Sequence, residues 1–158
     1  MDRKLLSIYL QDHMAGAVAG VELARRSRGS NEGSAYGDEL AKLCTDIEED
    51  REALAQVMRA LGIRRFPIKE GAAWAGEKLG RMKLNGKITG YSPLSRLVEL
   101  EGLIIGVSGK LELWRSLRAV AGWEELEGID LRALIRRAED QRKRLERLHE
   151  RAAADALT

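Results

Sequence analysis

Cysteine is almost missing from this chain: Cys44 is the single one in 158 residues. A lone thiol forms no internal disulfide and leaves no CxxC or Cys/His zinc spacing. That points to a reducing, cytoplasmic setting. Proline is nearly as scarce, with only Pro67 and Pro93, and aromatics make up 4% of the chain. Both scarcities argue for long helices over a β-rich fold. Long apolar runs are missing too. The run from Leu5 to Leu10 is broken by Ser7 and stopped by Gln11, Asp12 and His13, too short for a signal h-region. No stretch approaches the roughly 18 apolar residues that cross a bilayer, so a soluble chain without a membrane span is expected. Net charge is only +2, yet 33% of residues are charged and 44% hydrophobic. Such a balanced composition excludes disorder, and the length suits one domain with a real core. There is no GxxxxGK[ST], no GxGxxG between strand and helix, and no GxSxG, so nucleotide and acyl-transfer sites lack support.

What is present is helical periodicity. Four stripes predict helices over about 4–28, 38–61, 93–120 and 130–155, separated in the middle by a crossover, 62–92. On the first, Leu6, Tyr9, His13, Ala17, Gly20, Val21 and Ala24 share a face. Its middle is nearly all Ala and Gly, which would let another helix come close, and Gly29 offers a stop. The second carries Leu40, Leu43, Ile47, Asp50, Leu54, Val57 and Leu61 and ends at Gly62-Ile63. The third begins at Ser92-Pro93, a cap followed by proline at the first helical position. Its predicted face holds Leu94, Leu97, Glu101, Ile104, Ser108, Leu111 and Arg115, with Val98, Ile105 and Glu112 beside it, and Gly122 offers a stop. The fourth, capped by Asp130, carries Leu131, Leu134, Ala138, Gln141, Leu145, Leu148 and Ala152, with Arg and Glu lacing its outer side. The crossover is too long for a hairpin. A short extra helix is expected within Ile68 to Leu84, anchored by Trp74.

Two helix pairs joined by a long crossover resemble the ferritin-like four-helix bundle. More narrowly, YLQDHMAGAVAGVELARR (9–26), DIEEDREAL (46–54), AAWAGEKLGRMKLNG (72–86) and YSPLSRLVELEG (91–102) resemble a bacterial, mostly actinobacterial, group of ferritin-like proteins of unknown function. The resemblance implies an all-α fold: a ferritin-like bundle with a long crossover carrying a short extra helix. Ferritin-like metal enzymes place a Glu on helices one and three and Glu-x-x-His on two and four. Glu22 and Glu101 match the first- and third-helix acids. The second helix has no histidine, and Asp46-x-x-Glu49 is its nearest equivalent. The fourth offers Glu146-x-x-His149, late in the helix, while Glu139-x-x-Arg142 puts an arginine where imidazole is needed. Arginine stays protonated and does not ligate. The standard dinuclear site is therefore incomplete.

With the helices running up, down, down, up, rise per residue matches positions by height. Glu22, Asp46, Glu101, Glu146 and His149 then form one polar layer. It reads as an atypical iron or manganese site, or as flank acids paired with arginines. His13, Asp50, Glu112, Glu139 and Arg142 form a second layer, expected to be an ion-pair network in which Arg142 neutralises Asp50 or Glu139. His13 reads as a core histidine bonded to a carboxylate, or as a base or ligand. Glu101, among Leu97, Ile104 and Ile105, is the expected buried acid, with a raised pKa. Cys44 is expected to pack as a small hydrophobe.

Charge is unevenly placed. The crossover carries Arg64, Arg65, Lys69, Lys78, Arg81, Lys83 and Lys87 against Glu70 and Glu77. Its simplest partner is the acidic second helix of the same bundle. Sparse aromatics give nucleic-acid binding little support. The expectation is a non-enzymatic bundle without cofactor, acting through protein contacts and as a homo-oligomer. The alternative is a metal-binding or metal-dependent ferritin-like oxidoreductase.

Overall fold

A computed structural model describes residues 2–64, 90–120, 126 and 128–158. It contains four long helices: α1 (Arg3–Ser30), α2 (Gly37–Ala60), α3 (Pro93–Ala119) and α4 (Leu131–Leu157). No strand occurs among the described residues, and no helix among them is long and apolar enough to cross a membrane. The expected crossover helix at 68–84, its basic residues beyond Arg64, and Gly122 lie outside the described residues.

Local chemistry sets the helix ends. The Asp2 carboxylate accepts from the Lys4 and Leu5 amides, Ser92 caps Ser95 ahead of Pro93, and Asp130 caps Ala133. These side chains satisfy amides that the first turn leaves unpaired. At the end of α2, Gly62 adopts φ +66°, its amide bonds the Arg59 carbonyl, and Ile63 bonds the Met58 carbonyl at 2.8 Å. This is the left-handed termination that Gly62-Ile63 implies. α1 runs past Gly29 and ends at Asn31, whose side-chain amide bonds the Ser27 carbonyl at 2.8 Å. The asparagine side chain there does the work that was expected of glycine.

Cross-helix pairs fix the topology. Arg25 meets Glu48, Leu23 lies against Gly102, Asp50 meets Arg137, and Arg115 meets Glu139. Each adjacent pair is thus antiparallel, so the order is up, down, down, up. α2 and α3 are parallel.

The α2 stripe is buried as expected, and so is that of α4 except for the half-buried Leu134. The other two helices are rotated from expectation. α3 buries Leu100, Leu103, Val107, Leu111, Trp114 and Leu117, while Leu94 and Ile105 face out. α1 buries Leu10 and Met14 and leaves Tyr9 and His13 half-buried. Apolar residues occur almost all round α3, so its periodicity does not single out one face.

The core forms two clusters. One holds Leu10, Met14, Leu54, Met58, Leu111 and Trp114. The other holds Val21, Leu40, Leu43, Leu100, Leu103 and Leu145. The boundary between them falls at Asp50 on α2, Lys110 on α3 and Gln141 on α4. At the same height α1 contributes only the small residues Gly16 to Gly20.

Candidate functional site

That boundary is a polar layer. Asp50 is fully enclosed, its side chain 1% exposed. One carboxylate oxygen accepts from Arg137 Nε at 2.7 Å, with Arg137 Nη2 on the same atom. The other accepts from Gln141 Nε2 at 2.8 Å and pairs with Lys110 Nζ. Lys110 also donates to Gln141 Oε1, and Arg137 reaches on to Glu49 at 3.1 Å. Burial pushes the Lys110 pKa down, and the Asp50 charge opposes that shift. Desolvation disfavours the ammonium while the carboxylate stabilises it. The layer is therefore a cluster of paired ions and not a set of convergent carboxylates and imidazoles.

Three residues of the first expected layer are drawn to separate arginines, and the other two, Glu101 and His149, meet each other. Glu22 pairs with Arg25, Asp46 with Arg144 at 2.6 Å, and Glu146 with Arg142 at 3.3 Å. His149 Nε2 lies 3.3 Å from Glu101 Oε1. Among the described residues, no three His, Cys, Asp or Glu side chains converge as a metal ligand set. The second layer is brought together only in part. Asp50 is its centre, but the cations on it are Arg137 and Lys110, not Arg142. Glu112 and Glu139 both bond Arg115 at 2.8 Å on the outside of the bundle. His13 meets the Tyr9 ring edge-on, centroids 4.5 Å apart, where a carboxylate bond was expected. Burial lowers its pKa, against a smaller opposing pull from Asp12.

Glu101 is 52% exposed. The buried acid is Glu99, 3% exposed, because the inward face of α3 is the rotated one. Glu99 accepts from the Tyr91 hydroxyl at 2.9 Å, and Arg26 Nε stands 2.8 Å from its other oxygen as an ion pair. That contact is not aligned for a hydrogen bond, so Arg26 acts on Glu99 through its charge alone. Burial raises the Glu99 pKa despite these partners, and burial lifts Tyr91 to about 12. Asn31 links this end together. It donates to Tyr91 at 2.8 Å and accepts from Arg96 Nε at 2.6 Å. Arg96 lies 4.3 Å from the Tyr36 ring centre, and Tyr36 donates to Asp155 at 2.6 Å. Cys44 is buried, which raises its thiol pKa and leaves it packed as a small apolar group.

Acids of α2 are answered by α4. Arg144 holds Glu39, Asp46 and Asp140 together. Burial works against its charge, but the bonds to Glu39 and Asp46 outweigh it and raise its pKa. The backbones of α2 and α4 approach each other at few points, and arginine side chains span the difference.

Beside the polar layer an apolar cleft of about 450 Å³ opens between α1 and α3. Leu54, Leu103, Val107 and Trp114 supply apolar walls, with Asp50 and Lys110 at one side. Gly16 and Gly20 line it from α1, and Gly106 and Gly109 from α3. A Cβ added at any of these four meets nothing within 4 Å. Of the glycines that line the cleft, Gly102 alone is in tight contact, where a Cβ would come within 2.9 Å of Leu23. Of the two roles open to small residues on the first helix, close helix contact or room for an apolar ligand, Gly16 and Gly20 fit the second.

Fold and site together define an all-helical, up-down-down-up bundle with a charged central layer and a side cleft. No family model matches the chain, and no curated protein or solved structure does so either.

Proposed function

We propose that this chain is a non-enzymatic helical bundle of ferritin-like organisation, akin to the actinobacterial group its segments resemble, and that it acts by contact and not by metal chemistry. The observation that carries the reading is the environment of Asp50. Its oxygens are occupied by Lys110, Arg137 and Gln141, so the most buried carboxylate of the middle layer has two cations as neighbours. A metal ion there would meet strong repulsion. The contact reading is supported by apolar side chains on the outer surface, Leu5, Ile8, Leu94 and Ile105, which suit protein partners or a second copy of the chain. Two measurements test it. Protein grown with iron and manganese and purified without chelator or His-tag should carry substoichiometric metal by elemental analysis. Light scattering at high micromolar concentration should show an oligomer. Stoichiometric metal defeats the first half of the reading and a monomer the second.

The alternative is a metal-binding ferritin-like oxidoreductase. One observation favours it: His149 and Glu101 already stand 3.3 Å apart, a pairing of ligand types found in such sites. Iron or manganese uptake that His149→Ala abolishes would establish it.

A further inference from the structure

The geometry points to the α1–α3 cleft as a binding site for a small apolar molecule bearing a single carboxylate, of the medium-chain fatty-acid type. The cleft's volume, about 450 Å³, falls within the roughly 300–1,000 Å³ typical of ligand pockets.

The glycines argue that the space is built. Glycine inside a helix is less stable than alanine by about 1 kcal/mol, and a close backbone approach is the usual compensation. At Gly16, Gly20, Gly106 and Gly109 there is none, because an added Cβ would touch nothing. What these positions produce is an open wall on each side of an apolar floor.

The polar groups at the cleft specify the ligand's charge. Asp50 is saturated by its bonds to Arg137, Gln141 and Lys110. An ammonium has three N–H donors. Lys110 spends two, on Asp50 and Gln141, and its third has no partner among the described residues. Arg51, half-buried on α2, lines the same cleft and has no ion pair among the described residues. Burial has moved the His13 pKa down, so its imidazole is neutral at pH 7. Asp12 is the opposing charge, but it is exposed, and water screens it more than it screens Arg51. The enclosed part of the cleft therefore offers donors and positive charge, and its vacant acceptors, the neutral His13 imidazole and the Tyr9 hydroxyl, carry no negative charge. A carboxylate on an apolar body fits that pattern, while an amine does not.

This inference goes beyond the contact function proposed above and stands whether or not the chain oligomerises or binds metal. Calorimetric titration of the full chain with decanoate, decanol and decylamine tests it. Decanoate should bind with one site per chain, more tightly than decanol, and decylamine weakest. Gly106→Leu, which places a side chain in the open wall, should abolish decanoate binding while circular dichroism and thermal unfolding show an intact bundle. Gly16→Leu, from the opposite wall, should do the same and guards against a folding defect in either variant. Arg51→Gln should weaken decanoate by about tenfold or more, the scale of one charge-assisted bond, and leave decanol unchanged. No decanoate binding, or binding that survives both filled clefts, overturns the site. Equal affinity for decanoate and decylamine overturns its charge selectivity.

Discussion

Arg137 on α4 reaches across the seam to α2 and donates to the buried carboxylate of Asp50 at 2.7 Å. The two helix backbones have little direct contact, so the pair is a strut as well as a charge neutraliser. With Lys110 and Gln141 it fills the boundary between the two halves of the core.

Removing Asp50 should be costly. Asp50→Ala leaves Lys110 and Arg137 facing one another without a counter-charge. Loss of one partner from a buried pair costs about 3–5 kcal/mol. Replacing the pair by apolar groups, as in Asp50→Leu with Lys110→Met, should recover much of that loss. Urea unfolding checks both variants. A single-mutant effect below about 1 kcal/mol, the level of exposed pairs, would show that the layer is not electrostatically closed.

Glu99 should give stability a pH dependence. Its folded pKa is raised above the ordinary value of 4.5, chiefly by burial. The folded state therefore holds its proton more tightly than the unfolded chain. The resulting stabilisation is fully present below pH 4.5 and is lost as pH rises through the folded pKa. Glu99→Gln, which keeps an acceptor for Tyr91, removes this contribution. Wild type minus Glu99→Gln unfolding free energy should thus fall as pH rises from 4.5 towards 7. A flat difference would contradict the assignment.

Arg144 ties the other part of the α2–α4 seam. Its side chain is 15% exposed and meets three carboxylates. Arg144→Ala should destabilise by about 2 kcal/mol, between exposed and buried pairs. Arg144→Lys should rescue only in part, since an ammonium lacks the planar fork that spans two acids. Full rescue by lysine in thermal melts would show that charge alone matters.

Gly62→Ala should cost roughly 1 kcal/mol, because φ +66° disfavours a Cβ. Gly62→Asn should be milder, as asparagine tolerates the left-handed region. Equal stability of the alanine variant and wild type would mean that the turn rearranges without penalty.

The stripes of α2 and α4 were legible in the sequence because each helix has a polar back. The interruption at Asp50 and the glutamine within the α4 stripe were equally visible. α3 was not legible in the same way. With apolar residues on most sides, its sequence allowed Glu101 to be read as inward, while neighbouring helices turned Glu99 in. Lys110 and Arg137 carried no signal at all. Both have long side chains whose heads can travel several ångströms from the face where the backbone places them.

The sequence by itself determined the four helices, the Ser92 and Asp130 caps and the glycine turn after α2. Those features depend on hydrogen bonds and dihedral preferences within a few residues. Tertiary structure decided which cation closes on Asp50, which acid of α3 is buried, and whether the α1 glycines face a helix or a void. Each depends on distances between elements far apart in the chain, and periodicity carries no information about the space on the other side of a face.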